Sequence, residues 1–305
     1  MDSKPLVGVV TVTYNSAEVI DDFMTSMLAQ HEERFHLYLV DNASTDATLE
    51  KVAQYPDSRI TVIANPDNRG VAEGDNQGIL PSLAAGIEWV LLLNNDTVFG
   101  PDLLGTLIED AGKLDVSMLV PKMMYFSRPD RIWCAGGQFN RWRAYGSTHY
   151  GDGEVDRGQY DTPCEVEFSP ACCLLIHQSV FERIGLVDET YFVYSEDNDF
   201  CLRAQRAGIR MAYTPRTKLL HKVSSLTGGK QSRFTIYYAT RNRVYFVRKN
   251  LNPLLSAYYL FISELYFICL FITGREHWNI FLYRQKAFRD GLKLKSKPQR
   301  AIAAR

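Results

Sequence analysis

The stretch Leu6-Val-Gly-Val-Val-Thr-Val-Thr13 is an apolar, β-branched run without alternation, the pattern of a parallel strand buried on both faces. Residues 16–30 follow with Val19, Ile20, Phe23 and Met27 at helical spacing. His36-Leu-Tyr-Leu-Val40 reads as a second strand that stops at Asp41-Asn42, and Ser44 is then placed to cap a helix beginning near Thr45. Residues 59–64 give a third strand, and residues 68–78 a Gly-rich turn entering another helix. Trp89-Val-Leu-Leu-Leu93 is the fourth strand and ends in Asn94-Asn95-Asp96. Strand and helix thus alternate four times in about one hundred residues, which predicts an α/β fold with a mixed, mostly parallel sheet flanked by helices. Such sheets bind ligands beyond the carboxyl ends of their strands. Here those ends carry Thr13-Tyr14-Asn15, Asp41-Asn42 and Asn94-Asn95-Asp96, three polar clusters converging on one crevice.

Beyond residue 120 the pattern loosens. It holds Trp133-Cys-Ala-Gly-Gly137 and a polar stretch, 145–162, that reads as an exposed loop. Residues 168–176 read as a strand, 196–207 as a short helix stopped by Gly208, and 210–214 as a strand closed by Pro215. Residues 253–274 are almost wholly apolar and long enough to span a bilayer, but Glu264 near the middle is costly there. A helix or helical hairpin at the membrane interface, or packed on the domain, is expected instead. From Arg275 onward Arg275, Arg284, Lys286, Arg289, Lys293, Lys295, Lys297, Arg300 and Arg305 are opposed only by Glu276 and Asp290. A basic tail beside an apolar stretch points to an anionic membrane surface, the plain alternative being a solvated tail. The expected division is therefore a catalytic domain over 1–235 and a helical C-terminal appendage over 236–305.

A hydrophobic content of 46% and a charged content of 23% in 305 residues exclude wholesale disorder. The six cysteines show no C-x-x-C pair and no zinc-type Cys/His spacing. With no signal peptide in Met1 to Pro5, reduced thiols on the cytoplasmic side are expected, with the chain peripheral on the inner face of the cell membrane. No nucleic acid is expected as a partner.

Three features can carry chemistry. Asp96 follows a strand beside the crevice, where a carboxylate can hold Mg²⁺ or Mn²⁺ bridging two phosphate oxygens, although an Asp after a strand is often only a turn residue. Glu196-Asp197-Asn198-Asp199 opens a helix, where acids are favoured by the dipole but can also supply a general base. His221, after Leu219-Leu220, is either a structural histidine or a further ligand beside carboxylate and phosphate oxygens.

In this order the pieces resemble the family-2 glycosyltransferases of the GT-A fold over roughly residues 5 to 250. The resemblance is carried by Val12-Thr-Tyr-Asn15, Val40-Asp-Asn-Ala-Ser-Thr-Asp46, Asn68-Arg-Gly-Val-Ala72 with Asn76-Gln-Gly78, and Leu92-Leu-Asn-Asn-Asp-Thr97. It continues through Ser169-Pro-Ala-Cys-Cys-Leu-Leu175, Gly185-Leu-Val-Asp188, Tyr194-Ser-Glu-Asp197 and Arg241-Asn-Arg243. It implies a nucleoside-diphosphate sugar donor held by Thr13, Tyr14, Asn15, Asp41, Asn76, Asn94 and Asn95. It further implies a divalent cation on Asp96 and His221, and Asp197 as the base that deprotonates the acceptor hydroxyl. Asn94 stands where the family's D-x-D motif has its first Asp, which weakens the expected metal affinity. Trp133-Cys-Ala-Gly-Gly137 and residues 192–197 lean toward rhamnosyltransferases of bacterial surface polysaccharides. The implied donor is a dTDP- or UDP-sugar and the acceptor a saccharide or a lipid-linked sugar.

Two other readings are open: a sugar-phosphate nucleotidyltransferase, and a nucleotide-sugar-binding protein that has lost its chemistry. The first strand ends in Thr-Tyr-Asn instead of a Gly-rich basic loop, against the former. Asp96, Asp197 and His221 together oppose the latter. The glycines at 70, 74 and 78 do not form the G-x-G-x-x-G of a dinucleotide oxidoreductase.

Overall fold

The computed structural model of the chain describes residues 5–223 and 232–298; Met1 to Lys4, Ser224, Ser225, Arg300 and Arg305 lie outside the described residues. The alternation read from the first hundred residues appears as β1 (Val7–Thr13), α1 (Ile20–Leu28), β2 (Phe35–Asp41), α2 (Thr48–Val52), β3 (Ile60–Ala64), α3 (Val71–Ala84) and β4 (Trp89–Leu93). There follow β5 (Thr97–Phe99), α4 (Leu103–Leu114), β6 (Met118–Tyr125), β7 (Arg128–Cys134), β8 (Gly137–Asn140), β9 (Gly146–His149) and β10 (Cys164–Glu165). The chain continues through β11 (Cys173–His177), α5 (Gln178–Ile184), α6 (Glu196–Arg206) and β12 (Met211–His221). It closes on α7 (Arg233–Asn250), α8 (Pro253–Ile272) and α9 (Trp278–Lys293).

The main sheet runs β10-β12-β6-β11-β4-β1-β2-β3, with β5 on β12 and β7 on β6. Pairs β1/β2, β1/β4, β2/β3 and β6/β12 are parallel, while β11 lies antiparallel between β4 and β6. The ends of β1, β2, β4 and β12 therefore face one edge, where Thr13 pairs with Asp41 and His221 with Thr97. Val7, Val9, Val10, Leu37, Leu39, Leu91 and Leu175 have no exposed surface, as strands covered on both faces require.

Helix α3 lies directly on β1. A Cβ on Gly78 would meet Val10 Cγ1 at 2.5 Å, and one on Gly74 would meet Val12 Cγ2 at 2.8 Å. The four-residue spacing that fails as a dinucleotide motif is thus a helix face cleared for close packing.

Three local readings are corrected. The helix after β2 starts at Thr48, not near Thr45, and Ser44 does not cap it. The Ser44 hydroxyl instead donates to Asp41 at 2.6 Å, because a carboxylate is the stronger acceptor; Asp46 accepts the Thr48 amide at 3.0 Å in its place. The strand expected over 168–176 is confined to Cys173–His177. Pro170 has no N–H to give a ladder, so 168–172 forms a connecting segment. Conversely β12 does not close at Pro215: a register shift between Thr214 and Lys218 absorbs the proline and lets the strand run on to His221.

The C-terminal helices are tied to the sheet domain. Lys249 of α7 bridges Asp188 (2.7 Å) and Asp199 (2.9 Å), both buried. Helix α9 packs on α7 so closely that a Cβ on Gly291 would lie 2.4 Å from the Arg241 carbonyl. Past α9 the chain returns toward the sheet edge, where the Lys297 amide donates to Thr190 Oγ1 at 2.9 Å and its ammonium lies 3.6 Å from Glu73.

Gly78→Ala is expected to destabilise the fold by about 1–3 kcal/mol, since both Val10 and the helix axis must shift. Gly112→Ala, which meets nothing within 4 Å in α4, is expected to stabilise by about 0.5–1 kcal/mol. Urea midpoints of the two variants check this.

Candidate active site

The crevice at the strand ends is built from three parts. At the first, Thr13 Oγ1 donates to Asp41 Oδ1 at 2.8 Å, and Asp41 also accepts the Ser44 amide (2.9 Å) and hydroxyl (2.6 Å). Thr13 and Asp41 are buried, so they form a polar floor. Tyr14 (46% exposed) and Asn15 rise above it. Asn15 adopts φ +51°, a left-handed conformation that Asn tolerates, and its Oδ1 accepts the Thr45 amide at 2.8 Å while its own amide donates to Ser44 Oγ at 2.9 Å. The β1 and β2 loops are thereby laced into one wall.

The second part lies at the end of β4. Asn94 is exposed and its amide donates to the Cys172 carbonyl at 2.9 Å. Asn95 is buried, with Nδ2 donating to the Val12 carbonyl (2.8 Å) and to Ser16 Oγ (3.0 Å), so it fastens β4 to β1. Asp96 is nearly buried and its Oδ1 lies 3.1 Å from His221 Nε2; the Lys222 amide donates to the Asp96 carbonyl at 2.9 Å, which fixes the two strand ends together. The His221 ring lies 4.3 Å from the Trp133 ring, and its Nδ1 is buried with no hydrogen-bond partner among the described residues. Packing against Trp133 and the Asp96 carboxylate at Nε2 together orient this imidazole.

The third part is the start of α6. Asp197 accepts its neighbour Asn198's amide at 2.7 Å. Burial raises its carboxyl to about 6, against the lowering effect of the Asn198, Asp197 and Ala171 amides. The Ala171–Cys172 segment therefore touches both Asp197 and Asn94, which brings the α6 start to the β4 end. Two further carboxyls share this enclosure. Asp75 of α3 is raised to about 8, by burial first and by the Asp197 charge second. Glu196 is also raised well above the usual range, by burial and then by Asp197, and its Oε2 is buried without a partner among the described residues. Asp199, in the same helical turn, is different. It accepts Arg203 Nε (2.9 Å), Lys249 Nζ (2.9 Å), the Tyr191 hydroxyl (3.2 Å) and Asn250 Nδ2 (3.1 Å), and serves the fold.

The turn before α6 is strained. Phe192, Tyr194 and Ser195 all have φ between 66° and 70°. It is held by Asn242, whose Nδ2 lies within hydrogen-bond distance of the carbonyls of Tyr191 (2.8 Å), Val193 (2.6 Å) and Tyr194 (2.8 Å). From the other side, the Val71 amide donates to the Phe192 carbonyl at 2.6 Å, an approach open only because Gly70, at φ +82°, carries no Cβ.

The sequence-derived site residues thus fall into two groups. Tyr14, Asn15, Asn94, Asp96, Asp197 and His221 border the crevice, over the Thr13–Asp41 floor. Asn76 does not: it is buried, with Nδ2 donating to the Val187 carbonyl (2.9 Å) and Glu189 (3.0 Å) and Oδ1 accepting the Val187 amide (3.1 Å). Its amide is committed to the segment before the strained turn, as that of Asn95 is to β1, so both are framework groups. Asp75, Trp133 and Asn242 were not singled out for these duties. The one signal for Asp75 was an acid between Gly74 and Asn76 on the sheet-facing side of α3.

Comparison with known proteins gives the site its context. The family model described as "Glycosyl transferase family 2" matches residues 8–185, more than half of the chain. The N-acetylglucosaminyl-diphospho-decaprenol L-rhamnosyltransferase of Mycobacterium tuberculosis is 27% identical over 72% of this chain and 77% of its own length. The dTDP-rhamnosyl transferase RfbF of Shigella flexneri is 24% identical over 87% of this chain and 86% of its own. Among solved structures, the mannosyltransferase PcManGT of Pyrobaculum calidifontis, in complex with GDP-Man and Mn²⁺, aligns with a TM-score of 0.54 at 14% identity, covering 96% of this chain and 88% of that one. Sheet order and crevice agree with a GT-A fold, and the match across β1 to α5 makes the chain a member of glycosyl transferase family 2, a glycosyltransferase.

Proposed function

We propose that the chain is an inverting transferase that moves L-rhamnose from a dTDP donor onto a lipid-linked diphosphate saccharide at the cytoplasmic face of the membrane. The observation that carries the chemistry is Asp197, an enclosed carboxyl raised to about 6 and joined through Ala171–Cys172 to the Asn94–Asp96 strand end. The names of the two rhamnosyltransferase relatives, which match most of this chain, support the sugar; the Shigella name supports the dTDP donor and the mycobacterial name a lipid-diphosphate-linked acceptor.

In this reading the nucleotide lies over the Thr13–Asp41 floor, with Tyr14 free to stack on the base. Asn15 and Asn94 are the exposed amides for the ribose, and Asn76 and Asn95 support the wall behind. Asp96 and His221 fit a divalent cation: a carboxylate oxygen and an imidazole nitrogen 3.1 Å apart can share one ion, and imidazole beside carboxylate suits Mn²⁺ better than Mg²⁺, which prefers oxygen ligands throughout. No cluster of three or more His, Cys, Asp or Glu ligands occurs among the described residues, so Asp96 and His221 would hold the ion together with oxygens of the donor. When bound, such an ion neutralises the diphosphate leaving group. Asp197 takes the proton of the acceptor hydroxyl as that oxygen bonds to C1 from the face opposite the diphosphate, and the C1–O bond to the diphosphate breaks with inversion. Asp75, raised to about 8, holds its proton at neutral pH, and burial disfavours the charged form of Glu196 as well, so Asp197 ionises before Asp75.

Asp197→Asn is expected to lower kcat by about 10²–10⁴-fold while calorimetry shows donor affinity unchanged. A purified variant turning over at the wild-type rate would remove Asp197 from this role. A donor panel, dTDP- and UDP-sugars scored by nucleoside-diphosphate release, tests the sugar.

His221→Ala is expected to weaken Mn²⁺ binding to the dTDP-loaded protein by about tenfold or more, read by titration calorimetry as well as by the Mn²⁺ dependence of the rate.

The rate should fall about tenfold per pH unit below about 6, as Asp197 takes up its proton. Stability shifts with pH through Asp75. Unfolded, this carboxyl ionises above its ordinary value of 3.8; folded, it keeps its proton to about 8. Native stability is therefore lost as pH rises through that window. Asp75→Asn removes the loss, so its Tm should exceed wild type by several degrees at pH 7 and match it at pH 4.

A further inference from the structure

The outer face of α8 has no partner in the fold. Leu254, Tyr258, Phe261, Leu265, Cys269 and Ile272 recur at three- and four-residue steps with Tyr266 beside them, and each is exposed, Phe261 by 62%. They make one apolar stripe along a 20-residue helix about 30 Å long. The opposite face is fastened to the protein. Ser256 Oγ donates to the Val247 carbonyl at 3.0 Å, and Tyr259 donates to the carbonyls of Arg141 (3.3 Å) and Trp142 (3.1 Å). Phe271 stacks on Phe281 of α9 at 5.0 Å, and the Arg284 guanidinium lies 4.8 Å over Phe267. Glu264 Oε2 is buried, so its carboxyl end is turned away from the stripe.

Two tryptophans flank the stripe. Trp142, 89% exposed, sits at the tip between β8 and β9, beside the first half of α8. That tip is pinned by Arg243, which donates to the carbonyls of Arg143 (2.5 Å) and Ala144 (3.0 Å). Trp278, also exposed, lies 5.2 Å from Phe271 near the other end. The exposed cations Arg275, Arg289, Lys293 and Lys295 begin directly after α8.

We infer that this face is a membrane-docking surface on which α8 lies in the plane of an anionic bilayer, with Trp142 and Trp278 as interfacial anchors. A span is disfavoured because it would strip α8 from α7 and α9, or carry the Arg284–Glu276 pair into hydrocarbon. Lipid is favoured over a second copy of the chain by composition: tyrosine and tryptophan at the margins with a cationic tail suit a headgroup region, whereas protein interfaces are depleted in lysine. The inference rests on the lipid-linked acceptor for its purpose, but not for its test. It also gives the catalytic domain a fixed attitude on the membrane, because Trp142 belongs to that domain and not to the appendage.

The test is flotation of the full-length chain with vesicles of neutral phosphatidylcholine or of phosphatidylcholine with about a third phosphatidylglycerol, an anionic surface. Binding to anionic vesicles, reversed by high salt and alkaline carbonate, is expected. Phe261→Glu with Leu265→Glu should reduce the bound fraction at least tenfold, and Trp142→Ala severalfold with a smaller blue shift of the tryptophan emission. Circular dichroism melting of each variant separates lost docking from lost fold. Carbonate-resistant association would overturn the in-plane placement. A concentration-dependent dimer by light scattering, abolished by the double variant and without vesicle binding, would assign the stripe to a second copy. Donor turnover on a detergent-solubilised acceptor should survive the double variant; its absence in wild type as well would count against the proposed reaction and leave the docking result standing.

Discussion

The Asn242 amide group, with three backbone carbonyls within hydrogen-bond distance, is the contact on which the geometry of this molecule turns. Three left-handed non-glycine residues within four positions are costly and persist only when their surroundings over-determine them. Asn242 supplies that determination from α7, while Gly70 and the Val71 amide supply it from α3. The start of α6, and with it Asp197, is positioned by elements nearly fifty residues later and more than one hundred residues earlier in the chain. Helix α7 is for this reason part of the active-site support and not merely a link to the appendage.

Electrostatics divides the acids of this region into two sets. Asp188 and Asp199 are buried but matched, sharing Lys249 and, for Asp199, Arg203 as well. Asp75 and Glu196 are buried and Asp197 is partly so, and the three have no Lys or Arg within ion-pair distance among the described residues. Burying a carboxylate without a cation disfavours its charged form, so all three ionise late. The arrangement works against the stability of the folded chain and in favour of a base whose proton affinity lies near neutrality. The cations that could have quenched Asp197, Lys249 and Arg203, are held instead by Asp188 and by Asp199, the latter two residues further along the same turn.

Much of the fold was legible because the strands declare themselves: β1, β2 and β4 are uninterrupted apolar runs that end abruptly in polar residues, and parallel sheets place those ends together. The errors came from tertiary competition that no local pattern records. Ser44 had the form of a cap but found a carboxylate, and Pro215 had the form of a terminator but fell on a bulge. Asn76 and Asn95 carry side chains suited to a ligand, and their burial behind the crevice depends on partners at Val187 and Val12 that only the folded chain brings near. Asp75 was hidden for the converse reason: a single acid in a helix reads as solvent-facing until the neighbouring glycines are seen to press that helix onto the sheet.

The return of the chain past α9 has a practical consequence. Lys297 is tied by its backbone to Thr190 and lies near Glu73, at the base of the turn that presents Asp197. A purification handle or fluorescent fusion joined directly after Lys297 would be tethered within a few residues of that turn. The start of β1 lies at the opposite edge of the sheet from the crevice, so a handle at the amino terminus leaves both the catalytic edge and its supporting strap undisturbed.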